Sequence, residues 1–155
     1  MESDIQFMER ALLLAQKAAI QNEIPVGAIL TLNGALISEG QNSPISSCDP
    51  CAHAEIIALR SGATQLGNYR MPGTTLYVTL EPCIMCMGAI IHARVKRLVF
   101  GAYDPKTGAA VSCYNIGQDN LLNHHLEISG GICEIQSAAL LKNFFREIRR
   151  KRTLS

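Results

Sequence analysis

The sequence predicts an α/β fold in three layers, with helices on both faces of one mixed five-stranded sheet. Three observations carry this. Helix-period and strand-period segments follow the order αββαβαβ(α)βα along 155 residues, the pattern of a sheet covered by helices. The first two strand segments are joined by Asn33-Gly34, the strongest short hairpin signal. The later strand segments alternate with helical ones, so the sheet is mixed.

Each element has its own local warrant. Ser3 followed by Gln6 is a capping-box signal, and Phe7, Ala11, Leu14, Ala15 and Ala18 recur at helical spacing, which predicts a helix over about 4–21. Val26 to Leu32 reads as a strand, and Ala35 to Glu39 returns as its partner. Residues 40–51 are crowded with Gly, Asn, Ser, Asp and Pro and read as a loop. A helix over about 53–66 stops at Gly67. Thr74 to Leu80 is rich in β-branched residues and reads as a strand. Pro82 suits a helix start, and Cys83 to Ala93 continues helically. Arg97 to Ala102 is a further buried strand, residues 103–118 form a long functional loop, and Leu126 to Ser129 is a short strand. A last helix over about 134–151 places Ala138, Leu141, Phe145 and Ile148 on one face.

Length and composition bound what such a fold can do. One domain over 1–155 is expected, near the modal domain size. A hydrophobic share of 48% against 17% charged residues marks a globular chain. No apolar run approaches the roughly 18 residues that span a bilayer, so no membrane partner is expected. Met1-Glu2-Ser3-Asp4 lacks the basic start of a signal peptide, and a cytoplasmic protein is expected. Its six cysteines then read as metal ligands or thiols rather than a disulfide framework. The net charge of +1 conceals an asymmetry: residues 1–93 carry 4 basic and 8 acidic residues, residues 94–155 carry 10 and 5. The basic third suits a polyanion, although Arg146, Arg149, Arg150, Lys151 and Arg152 also suit a solvated helix end.

The chemistry lies in His53-Ala54-Glu55 and Pro82-Cys83-Ile84-Met85-Cys86. One His and two Cys are the ligand set that suits Zn²⁺, and three protein ligands leave a fourth tetrahedral position for water. His53, Cys83 and Cys86 are therefore the candidate metal ligands. Both segments lie at strand-to-helix junctions, where helix N-termini favour thiolates. Glu55 sits two residues from His53, close enough to take a proton from that water and deliver it to a ring nitrogen and a leaving amine. The reaction class is hydrolytic deamination. H-x-E…P-C-x-x-C is a known signature of zinc nucleobase deaminases. A rival reading joins Cys48, Cys51, Cys83 and Cys86 in a closed Cys₄ site, but the 31 residues between the pairs exceed the usual spacing of about 15–20. Cys113 and Cys133 read as buried thiols.

The chain resembles bacterial tRNA-specific adenosine deaminases of the cytidine-deaminase-like superfamily over nearly its whole length. The resemblance rests on Ile24-Pro25-Val26-Gly27-Ala28, Ala52 to Ile56 and Thr75 to Cys86. It continues through Ile91 to Arg94, Val99 to Ala102, Lys106 to Ala110 and Phe144-Phe145. It departs from the family pattern at Cys51, at Tyr103 and over Val111 to Asn115. The resemblance implies a cytidine-deaminase-like fold, one Zn²⁺ per chain, a homodimer, and conversion of adenosine to inosine at the wobble position of a tRNA anticodon stem-loop. It implies that Asn42 bonds the flipped nucleoside, that Ala54 offers its N–H to the purine, and that Asp104 and Lys106 line the groove for the loop. Arg146 and Arg149 would add affinity for RNA. Two alternatives stay open: a deaminase of free bases or nucleosides such as guanine, and a zinc-stabilised RNA-binding module without catalysis.

Overall fold

The computed structural model describes residues 3–154 and is built on one five-stranded sheet in the order β2-β1-β3-β4-β5. Its elements are α1 (Asp4–Ile20), β1 (Gly27–Leu32), β2 (Ala35–Gln41), α2 (Pro44–Ser47), α3 (Ala54–Leu66), β3 (Thr74–Leu80), α4 (Ile84–His92), β4 (Arg97–Ala102), β5 (Glu127–Ser129) and α5 (Glu134–Leu154). β1 pairs antiparallel with β2 and β3, whereas β3–β4 and β4–β5 are parallel, so the sheet is mixed as expected.

Local signals explain most of these boundaries. Ser3 and Gln6 close a reciprocal capping box at the start of α1. Asn33 and Gly34 both take positive φ, 52° and 77°, as a tight hairpin turn between right-twisted strands requires. Gly67, at φ 68°, ends α3 in the left-handed conformation.

Strand alternation sorts the core into two layers. Ala28, Leu30, Leu76, Val78, Leu98 and Phe100 point to the face covered by α3 and α4. Ile29, Tyr77 and Val99, one residue out of phase, meet Phe7, Met8, Ala11 and Leu14 of α1 on the other face. α5 also packs on β4 and α1. Gly40 lets β2 approach the start of α3: a Cβ there would collide with the Ala54 carbonyl oxygen. Among the described residues, no helix is long and apolar enough to cross a membrane.

Three expectations are corrected. β2 runs on to Gln41, and residues 44–47 form the short helix α2 within the expected loop. The buried Glu23 carboxylate accepts the Ile45 and Ser46 N–H groups at 3.2 and 2.7 Å and so braces that helix, a partnership across more than twenty residues. Pro82 lies outside α4, one residue before its N-cap Cys83. On α5, Ser137 is the buried residue and Phe145 is 41% exposed. Cys113 is exposed, in the loop after β4, and Cys133 is only half-buried, at the rim of the core layer under α1.

The start of α1 is tied to the sheet by charge. Arg97 reaches Asp4 with two bonds of 2.9 and 2.7 Å, and the Tyr77 hydroxyl donates to Asp4 at 2.8 Å. The Arg97 hydrogen bond is the main cause that holds the Asp4 carboxyl below its ordinary range, against the opposing effect of burial. A lowered folded pKa gives stability that is present above the unfolded value near 3.8 and is lost as pH falls through the folded one. Asp4→Asn is expected to lose about 1–3 kcal/mol at pH 7 in urea unfolding. The gap from wild type should narrow below about pH 4.

Candidate active site and metal centre

The carboxyl ends of β2, β3 and β4 lie at one edge of the sheet, where open α/β sheets hold their sites. His53 is the N-cap of α3 and Cys83 the N-cap of α4. Such positions favour Ser, Thr, Asp or Asn, whose side chains bond the helix N–H groups. Neither residue makes such a bond; instead the two side chains face each other.

His53 Nδ1 lies 3.6 Å from Cys83 Sγ and 3.6 Å from Cys86 Sγ. Among the described residues, His53, Cys83 and Cys86 form the group of potential ligands whose donor atoms all lie within 4.8 Å of one another. A tetrahedral zinc with Zn–N near 2.0 Å and Zn–S near 2.3 Å sets N and S about 3.6 Å apart, so the arrangement fits that ion. Cys48 and Cys51 stand outside the cluster and are exposed, which removes the Cys₄ reading.

Within the cluster one thiol is held low and its neighbours are held high. A hydrogen bond from Cys86 is the main cause that pulls the Cys83 thiol down to about 4, with His53 adding to it against burial. The Cys83 contact and burial push Cys86, which is wholly enclosed, upward. His53 is raised chiefly by its bond to Cys83. Glu55, in the first turn of α3 and 4% exposed, is raised by burial.

A cavity of about 460 Å³ opens over this cluster. His53, Cys83, Glu55 and Asn42 line its floor, and Ile24, Val26 and Leu80 give it apolar flanks. Tyr103, Asp104, Lys106 and Thr107 form one wall, and Leu141 and Phe145 of α5 another. A second cavity of about 560 Å³ shares Lys106, Leu141 and Phe145 with the first and adds Lys142, Arg146 and Arg149. Its charged lining is entirely basic.

The residues singled out in the sequence therefore fall into groups. His53, Cys83 and Cys86 converge; Glu55, Asn42, Asp104 and Lys106 line the same cavity; Arg146 and Arg149 line the adjoining one. Two of these residues also bond within the protein. The Ala54 N–H donates to Asn42 Oδ1 at 2.8 Å and so orients the Asn42 amide. The Asp104 carboxylate accepts the Lys106 and Thr107 N–H groups at 3.0 and 3.1 Å and the Thr107 hydroxyl at 2.7 Å, so it shapes its own turn. Lys142, which lines the second cavity, had no distinguishing local signal. The Tyr103 ring is held edge-on to Phe100, with centroids 5.0 Å apart.

Residues 1–102 match the family described as the cytidine and deoxycytidylate deaminase zinc-binding region. The chain is 49% identical over 154 residues to a tRNA-specific adenosine deaminase of Haemophilus influenzae, covering 99% of this chain and 89% of the relative. It is similar to a solved structure from studies of A-to-I editing by tRNA:A34 deaminases at the wobble position, with a TM-score of 0.85 and 43% identity. That match covers 88% of this chain and 99% of the other. A guanine deaminase of Bacillus subtilis matches at TM-score 0.63 and 40% identity over 66% of each chain.

Proposed function

This chain belongs to the cytidine and deoxycytidylate deaminase family, and we propose that it hydrolyses adenosine to inosine at the wobble position of a tRNA anticodon. The observation that carries this reading is the adjacency of the two cavities: a nucleoside-sized site lined by His53, Glu55 and Cys83 shares Lys106, Leu141 and Phe145 with a groove along α5 whose charged residues are all basic. A free base needs no such groove, whereas a stem-loop brings phosphates alongside the nucleotide it splays out.

One zinc per chain would be held by His53, Cys83 and Cys86, and when bound it supplies Lewis-acid polarisation of water. The chain's own residues do the rest. Glu55 takes a proton from water as the oxygen adds to the purine C6. It returns that proton to ring N1, then takes the proton of the new C6 hydroxyl and passes it to the departing amine, so the C6–N bond breaks, ammonia leaves and inosine remains. The buried, apolar surroundings of Glu55 suit a group that must both take and give a proton. Asn42, oriented by the Ala54 N–H, bonds the nucleoside, and Asp104 and Lys106 shape the wall that meets the flanking loop nucleotides. Phe145 offers a stacking surface at the junction of the cavities.

The chain works as one domain over 1–155 and as a homodimer. The outward Ile84 of α4, 57% exposed, and the open space beside Gly88 support an interface along that helix. Its substrate assigns it to the cytoplasm. The deciding experiment is sequencing of tRNA after incubation with the purified protein, beside ammonia-release assays with free guanine and adenosine. Inosine at the wobble position is expected; ammonia from guanine alone would overturn the reading. Arg146 and Arg149 are expected to act through phosphates. Their double replacement by Ala should flatten the log Kd against log salt slope by about 0.7–0.9 for each phosphate no longer neutralised, as read by titration at several salt concentrations.

A further inference from the structure

We propose that Glu81 is a positioning residue for the substrate, one that fixes residues 103–113 as a rigid wall of the reaction cavity. The inference rests on the RNA reading above. Glu81 follows β3 directly, two residues before Cys83, and is 2% exposed. Its carboxylate nevertheless spends its bonds on the opposite loop rather than on the metal cluster. Oε1 accepts the Asp104 N–H at 3.0 Å and the Ser112 hydroxyl at 2.5 Å. Oε2 accepts the Val111 and Ser112 N–H groups, both at 2.9 Å. A carboxylate offers about four acceptor positions, and these four donors fill them. Glu81 therefore has no lone pair left for a ligand or a substrate, and its effect on the reaction passes through the loop.

The loop is shaped to receive it. A Cβ at Gly108 would collide with the Glu81 carboxyl carbon, so the backbone at Gly108 closes against the carboxylate as only glycine permits. The Ala109 N–H donates to the Pro82 carbonyl at 2.8 Å, a second tie to the same strand end. Between the two attachment points of the clamp, Asp104 and Val111, lie Lys106 and Thr107, and Tyr103 precedes them. These side chains form the wall beside the reacting nucleotide. One buried group thus couples the segment that carries Cys83 to the segment that meets the RNA. Binding an ordered loop avoids the cost of ordering it on association, so loss of the clamp should appear in substrate affinity.

The test is E81Q, which replaces one oxygen by an NH₂ group and turns a donor toward donors. It is compared with wild type and S112A in the full-length, zinc-loaded protein. With an anticodon stem-loop, E81Q is expected to raise KM at least tenfold with kcat within threefold. S112A, which removes one of the four donors, should move KM in the same direction by about two- to fourfold. A merely structural role would lower the amount of active protein, and thus kcat, at unchanged KM; that result in either variant would overturn the proposal. Amide hydrogen exchange on the unliganded protein gives a readout without substrate. Faster exchange at Asp104, Val111 and Ser112 with β3 and β4 unchanged supports the clamp, and wild-type protection at all three amides overturns it. Because exchange needs no turnover, it still decides the clamp if wild type forms no inosine, a result that would sink the RNA reading alone. If E81Q does not fold, S112A carries both readouts.

Discussion

Glu55→Ala is expected to keep its fold and its zinc and to lose about 10²–10⁴ in kcat for inosine formation, the range that a positioned proton carrier contributes. The size follows from where the carboxylate sits. Glu55 is enclosed at 4% exposure, lines the cavity beside His53 and Cys83, and lies in the first turn of α3. No other carboxylate in that cavity is placed to replace it: Glu81 is filled by four loop donors, and Asp104 is engaged by Lys106 and Thr107. Alanine is compatible with a helical first turn and removes a buried carboxyl, so stability should not fall with activity. Glu55→Gln should lose as much rate, since it keeps the volume without the proton. Metal analysis, thermal unfolding and single-turnover inosine formation read these outcomes separately. Near-normal turnover in either variant would show that the proton moves by another route.

The parts of this molecule that could be read from the sequence are those with local causes. β3 and β4 have the expected boundaries because their β-branched, apolar runs have one solution on a covered sheet. α1 is announced by a capping box within four residues, and α3 by a glycine that only the left-handed stop requires. The metal cluster was equally legible, since Cys83 and Cys86 share one turn and the soft donor set admits few ions. Missing from the sequence are the long-range ties. Glu23 braces α2 and Glu81 clamps the 103–113 loop, each through backbone N–H groups that carry no side-chain signature. The same limit explains Ala54, whose N–H has its partner in Asn42, twelve residues upstream. It also explains Phe145, whose helical spacing suits a core face but whose ring lines the cavity.

Cys86→Ala should abolish measurable turnover and reduce zinc to a trace, while leaving a cooperatively folded protein. Two ligands remain after the substitution, and a site built from His53 and Cys83 alone loses one of the two thiolates that offset the ion's charge. Cys86 is the enclosed member of the set, at 0% exposure, so water or a buffer ligand cannot readily take its place. The fold is expected to persist because both core layers close without the cluster: Leu30, Val78 and Phe100 pack on one face, Ile29, Tyr77 and Val99 on the other. Zinc adds to stability by mass action, as RT ln(1 + [Zn]/Kd), rather than by creating the core. Chelator should therefore lower the thermal midpoint of wild type toward that of Cys86→Ala and leave the variant's own midpoint unmoved. This separates an enzyme from a zinc-stabilised RNA-binding module. The module predicts that chelated wild type and Cys86→Ala both unfold, as small zinc domains do, and that RNA binding disappears with the fold. Retained secondary structure by circular dichroism, retained tRNA binding and absent inosine in the same Cys86→Ala sample would exclude the module.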